Sequence, residues 1–230
     1  VREPGYRGET RENTTENWRN ANPLDYLKAC EVITNAGGWV FRMGDPSMTP
    51  LPPMPKVIDY AHHEIRCDWM DVFLGATSRF CIGTSSGYCT IPMFFGRPVL
   101  FTNFSCAIEY YGYREQDLFL PRWIKNIQTG KLLSFEEYMS PPISMLRSLK
   151  SFRDSGLQWV ENTSEELEAT TKEMLERTDG SLSSKIIDDE PQRHFKAMAE
   201  ACGLKYDGRP VKAFAPISRD FINRNADLLA

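Results

Sequence analysis

Over residues 1–103, short apolar runs alternate with stretches of helical spacing, and this alternation restricts the fold more than any other feature of the chain. The runs are WVFRMG (39–44), KVIDYA (56–61), RFCIG (79–83) and PVLFTN (98–103). Between them, residues 23–36 bring Leu24, Leu27, Cys30 and Ile33 to one helical face, with Asn22 as cap, Pro23 in the first turn and Gly37-Gly38 as the stop. Residues 67–78 do the same with Trp69, Met70, Phe73 and Leu74, and residues 87–95 read as a short helix. Strands this short and this apolar, separated by helices, predict an α/β chain: a Rossmann-like parallel sheet with helices on both faces and extra helices toward the C-terminus. The four runs are expected in one sheet. Ligands of such sheets bind beyond the carboxyl ends of the strands, which directs attention to the residues that follow each run.

The most distinctive of these junctions is GTSSG (83–87), where small hydroxyl and glycine residues separate two apolar runs. Glycine permits close backbone approach, Thr84, Ser85 and Ser86 supply hydroxyls, and a following helix presents unpaired N–H groups. That combination suits a diphosphate, although it also suits a plain strand-to-helix loop capped by Ser86. Arg2, at the end of a first apparent strand, and Arg42, at the end of the next, project toward the same edge. Arginine's planar fork is matched to phosphate oxygens. A structural role for Arg42 would pair it with Asp45 or Asp59. The same loop formally matches GxSxG, which offers a hydrolase alternative with Ser85 as nucleophile and Asp188 or Asp189 and His194 as its partners. The Walker and dinucleotide glycine patterns do not occur in the sequence, and His62-His63 and His194 read as ordinary polar residues rather than metal ligands.

Beyond residue 103 the pattern changes. An extended stretch through DLFLPRWIKN (117–126) leads to a Thr-Gly turn and a helix opened by a Ser134/Glu137 capping box. A strand over LQWV (157–160) precedes a helix opened by a Thr163/Glu166 box, and helical stretches over 190–203 and 217–230 close the chain. The net charge of −4 argues against a nucleic-acid binder, because a phosphate backbone calls for a cationic face. The longest apolar runs fall short of a bilayer span, and the six cysteines lack any CxxC spacing, so reduced thiols and a cytoplasmic setting are expected. Asn13, Asn103 and Asn162 begin Asn-x-Ser/Thr triplets that read as chance matches. The opening VREPG resembles the tail of a strand, as if cut from a longer protein.

VREPGY, NWRNANPLDY, GGWVFRMGD, VIDYA, MDVFLGATSRFCIGTSSG and IPMFFGRPVLFTN together resemble bacterial glycosyltransferases of surface-polysaccharide gene clusters, and more broadly the C-terminal, nucleotide-sugar-binding half of a GT-B glycosyltransferase. The resemblance spans residues 1–103 and thins out over 104–230. It implies that the whole chain, 1–230, is one Rossmann-like donor-binding domain, the C-terminal half of a two-domain enzyme. It also implies a metal-independent transfer of sugar from a nucleotide-sugar donor, bound as substrate without a further cofactor, to a glycan or lipid-linked acceptor. The setting would be cytoplasmic, at the inner face of a membrane approached through the region outside this chain. By resemblance the donor site would draw on Arg2, Arg19, Arg42, Thr84, Ser85, Ser86, Gly87 and Asn103, with Asn20 beside Arg19; the general base is left unassigned. A non-catalytic sugar-nucleotide-binding module is the alternative from another class.

Overall fold

The computed structural model describes residues 2–3, 17–104, 114–146, 148–182, 189–201, 205–206, 209–210 and 215–229. Its centre is a three-stranded parallel sheet of β3 (Cys81–Gly83), β4 (Val99–Phe104) and β5 (Leu118–Pro121), in the order β3-β4-β5. A parallel bridge from Phe119 to Ile217 adds a fourth rung, with the Phe119 amide donating to the Pro216 carbonyl at 2.9 Å and the Ser218 amide to the Phe119 carbonyl at 2.7 Å. Every residue of β4 and β5 is buried, as the continuous apolar run of β4 predicts for a strand covered on both faces. Alternation divides the cover. Leu100 and Leu118 pack on one side against Met174 of a long helix, whereas Phe101 and Phe119 stack at 5.2 Å on the other, with Phe104 edge-on to both.

The structure is thus mixed α/β with parallel strands, but the four predicted runs do not share one sheet. β1 (Val40–Phe41) and β2 (Val57–Ile58) form their own parallel pair, separate in hydrogen bonding from β3-β4-β5. Strands of two residues, each only partly covered, lack the paired backbone and buried face that would extend the ladder.

Helix α1 (Leu27–Asn35) follows a 3-10 turn over Pro23–Tyr26, which Asn22 caps by accepting from the Leu24 amide. Helix α2 (Asp68–Thr77) lies against the five-residue α3 (Thr90–Phe94), and Gly75 allows that approach: a Cβ there would meet Ile91 at 2.9 Å. The expected apolar face of α2 is not a core face. Trp69 and Phe73 stack at 5.1 Å yet stay 65% and 44% exposed, and Phe94 and Phe95 at the end of α3 are exposed as well.

The chain then runs through β5, passes Arg122, and continues as β6 (Trp123–Asn126), which leaves the parallel sheet and pairs antiparallel with β7 (Leu157–Val160). Between them lie α4 (Phe135–Met139) and α5 (Leu149–Asp154). Helix α6 (Ser164–Asp179) packs on α1 and on β4 and β5 and ends at Gly180, whose φ of 77° is the left-handed cap that glycine favours. Both predicted capping boxes form, Ser134 with Glu137 and Thr163 with Glu166. Helix α7 (Glu190–Ala201), a two-residue hairpin pair β8 (Lys205–Tyr206) and β9 (Arg209–Pro210), and α8 (Arg219–Arg224) complete the described fold. No helix among the described residues is long and apolar enough to cross a membrane.

Candidate functional site

The residues around the carboxyl edge of β3-β4-β5 are joined by a relay of direct contacts. Residue 103 is the extra residue of a β-bulge: the β4–β5 register shifts between Thr102 and Phe104, and Asn103 takes a φ of 52°. Its amide, turned out of the ladder, donates to Asn162 Oδ1, and the Asn162 amide returns a bond to Asn103 Oδ1 at 2.8 Å. Asn162 Nδ2 closes the arrangement on the Pro121 carbonyl at 2.8 Å. On the other side Asn103 Nδ2 donates to the Tyr26 hydroxyl at 3.0 Å, and that hydroxyl lies 2.6 Å from Thr102 Oγ1. Thr102 Oγ1 also donates to the Gly83 carbonyl at 3.3 Å, at the foot of the Thr84–Ser86 loop. Burial holds the Tyr26 phenol up at a pKa of about 12, against the opposing pull of its bonds to Thr102 and Asn103 and of the nearby Arg122 charge.

Arg122, at the point where the chain leaves the parallel sheet, has no solvent exposure in its side chain. It donates to Asn103 Oδ1 at 3.3 Å, to the carbonyl of Trp18 at 2.7 Å, to the carbonyl of Asn20, and to Glu161 Oε2 at 2.7 Å, and its guanidinium lies 5.3 Å from the Trp159 ring centre. The segment it grips is the one the sequence marked: Asn20 forms a parallel bridge with Arg2, with the Ala21 amide donating to the Arg2 carbonyl, and Arg19 lies 4.9 Å over Trp18. Sequence reasoning left Arg122 out. The signal was a lone charge inside the apolar run LFLPRWI, where a buried guanidinium needs several acceptors.

Of the predicted donor-site residues, Asn103 belongs to this relay; Arg2 and Arg19 border the Asn20 segment that Arg122 holds, and Thr84 follows the Gly83 carbonyl that Thr102 binds, with Ser85, Ser86 and Gly87 next in the chain. Asn103 is occupied by the bulge and by Arg122. Arg42 is committed to an ion cluster at the end of β1, the pairing with Asp59 that the sequence offered as its structural role. Its guanidinium reaches Asp59 Oδ1 at 3.1 Å, the Thr49 carbonyl at 3.0 Å and Glu3 Oε1 at 3.6 Å, and only 9% of the side chain is exposed. Asp59 also binds His62 Nδ1 at 3.0 Å. Glu3 ties this cluster to the Arg2–Asn20 bridge next to it.

The loop itself differs from the expectation in two respects. A three-residue 3-10 turn (Gly87–Cys89) precedes the five-residue α3, so the partial charge of a long helix is missing, and Ser86 makes no side-chain capping bond. Gly87 lies outside the left-handed region, is exposed, and has nothing within 4 Å of where a Cβ would stand. Thr84, fully buried, has no hydrogen-bond partner for Oγ1 among the described residues. For the hydrolase alternative, Ser85 lacks the positive φ of a strained nucleophile elbow, and Asp189 accepts from the Gln192 amide at the start of α7. Asp188 lies outside the described residues.

Comparison of the chain with protein-family models, with curated proteins and with solved structures returned no match.

Proposed function

We propose that the protein binds the diphosphate of a nucleotide-sugar on the Thr84–Gly87 loop and acts as the donor-binding part of a metal-independent glycosyltransferase serving a glycan or lipid-linked acceptor. The Rossmann-like reading of the sheet belongs to the same proposal. The observation that carries it is Gly87: a glycine that the fold does not require, exposed and open at the carboxyl edge of a parallel sheet, where bound ligands lie beyond the strand ends. Half-buried Ser85 and Ser86 precede it, and Arg2 and Arg19 border the Asn20 segment that Arg122 holds. In this reading Ser85, Ser86 and the Gly87 amide bind phosphate oxygens, and the two arginines stabilise the charge that develops on the departing diphosphate. Arg42 and Asn103 serve the scaffold.

The experiment is calorimetric titration with nucleoside diphosphates and with the matching nucleosides. Diphosphates are expected to bind and nucleosides to bind far more weakly. Gly87→Val has room in the fold, so its melting temperature should match the parent's while diphosphate affinity falls at least about tenfold, because the isopropyl group fills the space through which the phosphate approaches the backbone. Thr84→Val removes a buried hydroxyl that has no partner among the described residues, so the free protein should gain about 1 kcal/mol of stability. Equal diphosphate affinity in the parent and in Gly87→Val overturns the assignment. Sugar release from the donor then separates a transferase from a non-catalytic binding module.

A further inference from the structure

Beneath the same loop lie two cysteines that the nucleotide-binding reading does not use. Cys81 and Gly83 are two residues apart in β3, so their side-chain directions share one face of the strand. Cys89, in the turn that follows the loop, presses its sulfur against that face: a Cβ on Gly83 would stand 2.6 Å from Cys89 Sγ. Close approach of this sulfur, rather than backbone conformation, is what glycine at 83 serves. Both thiols are free, Cys89 is 3% exposed, and Cys81 packs partly exposed against the same core cluster. The Cys89 thiol donates to the Thr84 carbonyl at 3.4 Å, at the start of the hydroxyl loop.

We propose that Cys81 and Cys89 are a disulfide-forming pair that hydrogen peroxide oxidises, closing a covalent ring around the Thr84–Gly87 loop. The sulfur of Cys89 thus lies on the face of β3 to which the Cys81 side chain also belongs. Their proximity lowers the Cys89 thiol and raises the Cys81 thiol, so Cys89 is the one that gives up its proton more readily and attacks first. Its sulfur attacks one peroxide oxygen: the S–O bond forms, the O–O bond breaks, and the departing hydroxide takes up a proton. The Cys81 sulfur then attacks the Cys89 sulfenic acid, forming the S–S bond and breaking the S–O bond, and its proton leaves with the hydroxyl as water. Two thiols and one peroxide thus give one disulfide and two waters. A low-molecular-weight thiol reverses it by exchange.

The pair differs in kind from the other described cysteines. Cys67 is exposed, and Cys30 is buried in helix α1 with its thiol pushed up to about 11, chiefly by burial. The inference concerns the sulfur chemistry of the loop and stands whether or not a nucleotide binds there.

The folded protein, treated with hydrogen peroxide and then alkylated, is digested with chymotrypsin, which cuts after Tyr88 and so separates the two cysteines onto different peptides. The expected product is a cross-linked pair of peptides containing Cys81 and Cys89, about 2 Da lighter than the two free-thiol peptides together. It should disappear on treatment with dithiothreitol and be depleted when the oxidation is carried out in urea. Cys89→Ala should abolish it, and in Cys81→Ala the Cys89 sulfenic acid, left without its resolving partner, should be trapped by dimedone. Independent sulfinic acids at both positions with no cross-link overturn the proposal, as does a cross-link formed equally well in urea. Loss of diphosphate binding on oxidation would extend the device to the ligand site, and unchanged binding would confine it to the scaffold.

Discussion

Arg122 shows what a single buried charge does when its partners are mostly neutral. Three of its four acceptors are the carbonyls of Trp18 and Asn20 and the carboxamide of Asn103, and only Glu161, itself 44% exposed, carries charge. Removing the guanidinium leaves buried acceptors without donors, whereas removing the Glu161 charge leaves a surface position that water re-solvates. Arg122→Met is therefore expected to cost about 3–5 kcal/mol in urea unfolding, and Glu161→Gln within about 1 kcal/mol. A lysine at 122 cannot span the four acceptors from one point and should recover little. Tyr26 gives a second prediction at this scale, through pH. Its folded pKa of about 12 lies above a phenol's ordinary value of about 10, so the protonated phenol is favoured by folding. That contribution is complete below pH 10 and is lost as pH rises toward 12, by about 2–3 kcal/mol. Chemical denaturation across that window should show the fall, and Tyr26→Phe should flatten it while lowering stability at neutral pH.

Among the elements, α6 and the β4 bulge set the limits of what could be read from the chain. The Thr163/Glu166 box was legible because capping is local chemistry over four residues, and Thr163→Ala should cost about 1 kcal/mol by thermal or urea unfolding. The Ser134/Glu137 box, the Asn22 cap and the parallel pairing of β1 with β2 and of β3 with β4 were legible for the same reason: short spacings and crossover lengths encode them. Sheet membership was not. Residues 40–41 and 57–58 carry the same apolar signature as β3, but which strands share hydrogen bonds is decided by packing between distant segments, and no local spacing records it. The face of α2 misled for a related reason: its period is helical, yet Trp69 and Phe73 have no core to meet. Asn103 read as a site residue because it follows an apolar run, while its partner Asn162 lies 59 residues away and leaves no trace in the pattern. The bulge also decides the fate of two Asn-x-Ser/Thr triplets. Asn103 and Asn162 are buried and bonded to each other, so neither carboxamide is available for glycosylation in the folded chain.

For the molecule as a whole, stability is concentrated where β4 and β5 lie between Met174 on one side and the stacked phenylalanines on the other. Native-state hydrogen exchange should be slowest at amides such as Phe101 and Leu120 and much faster at Val40 and Arg42, whose acceptors are carbonyls at the ends of a two-residue pairing. The chain brings its distant parts to one strand: the region around Phe119 takes Ile217 alongside it, while Arg122, three residues on, holds carbonyls 104 and 102 positions earlier. During synthesis this order matters. A nascent chain that has reached Arg122 already possesses Trp18 and Asn20, but the far side of β5 stays open until Ile217 has cleared the ribosome. Ribosome-bound chains halted after Gly180 should therefore be cut readily by protease, and those extended past Leu229 should resist it. From the emergence of β5 until Ile217 follows it, the chain would then depend on whatever shields an unfinished sheet edge in the cell.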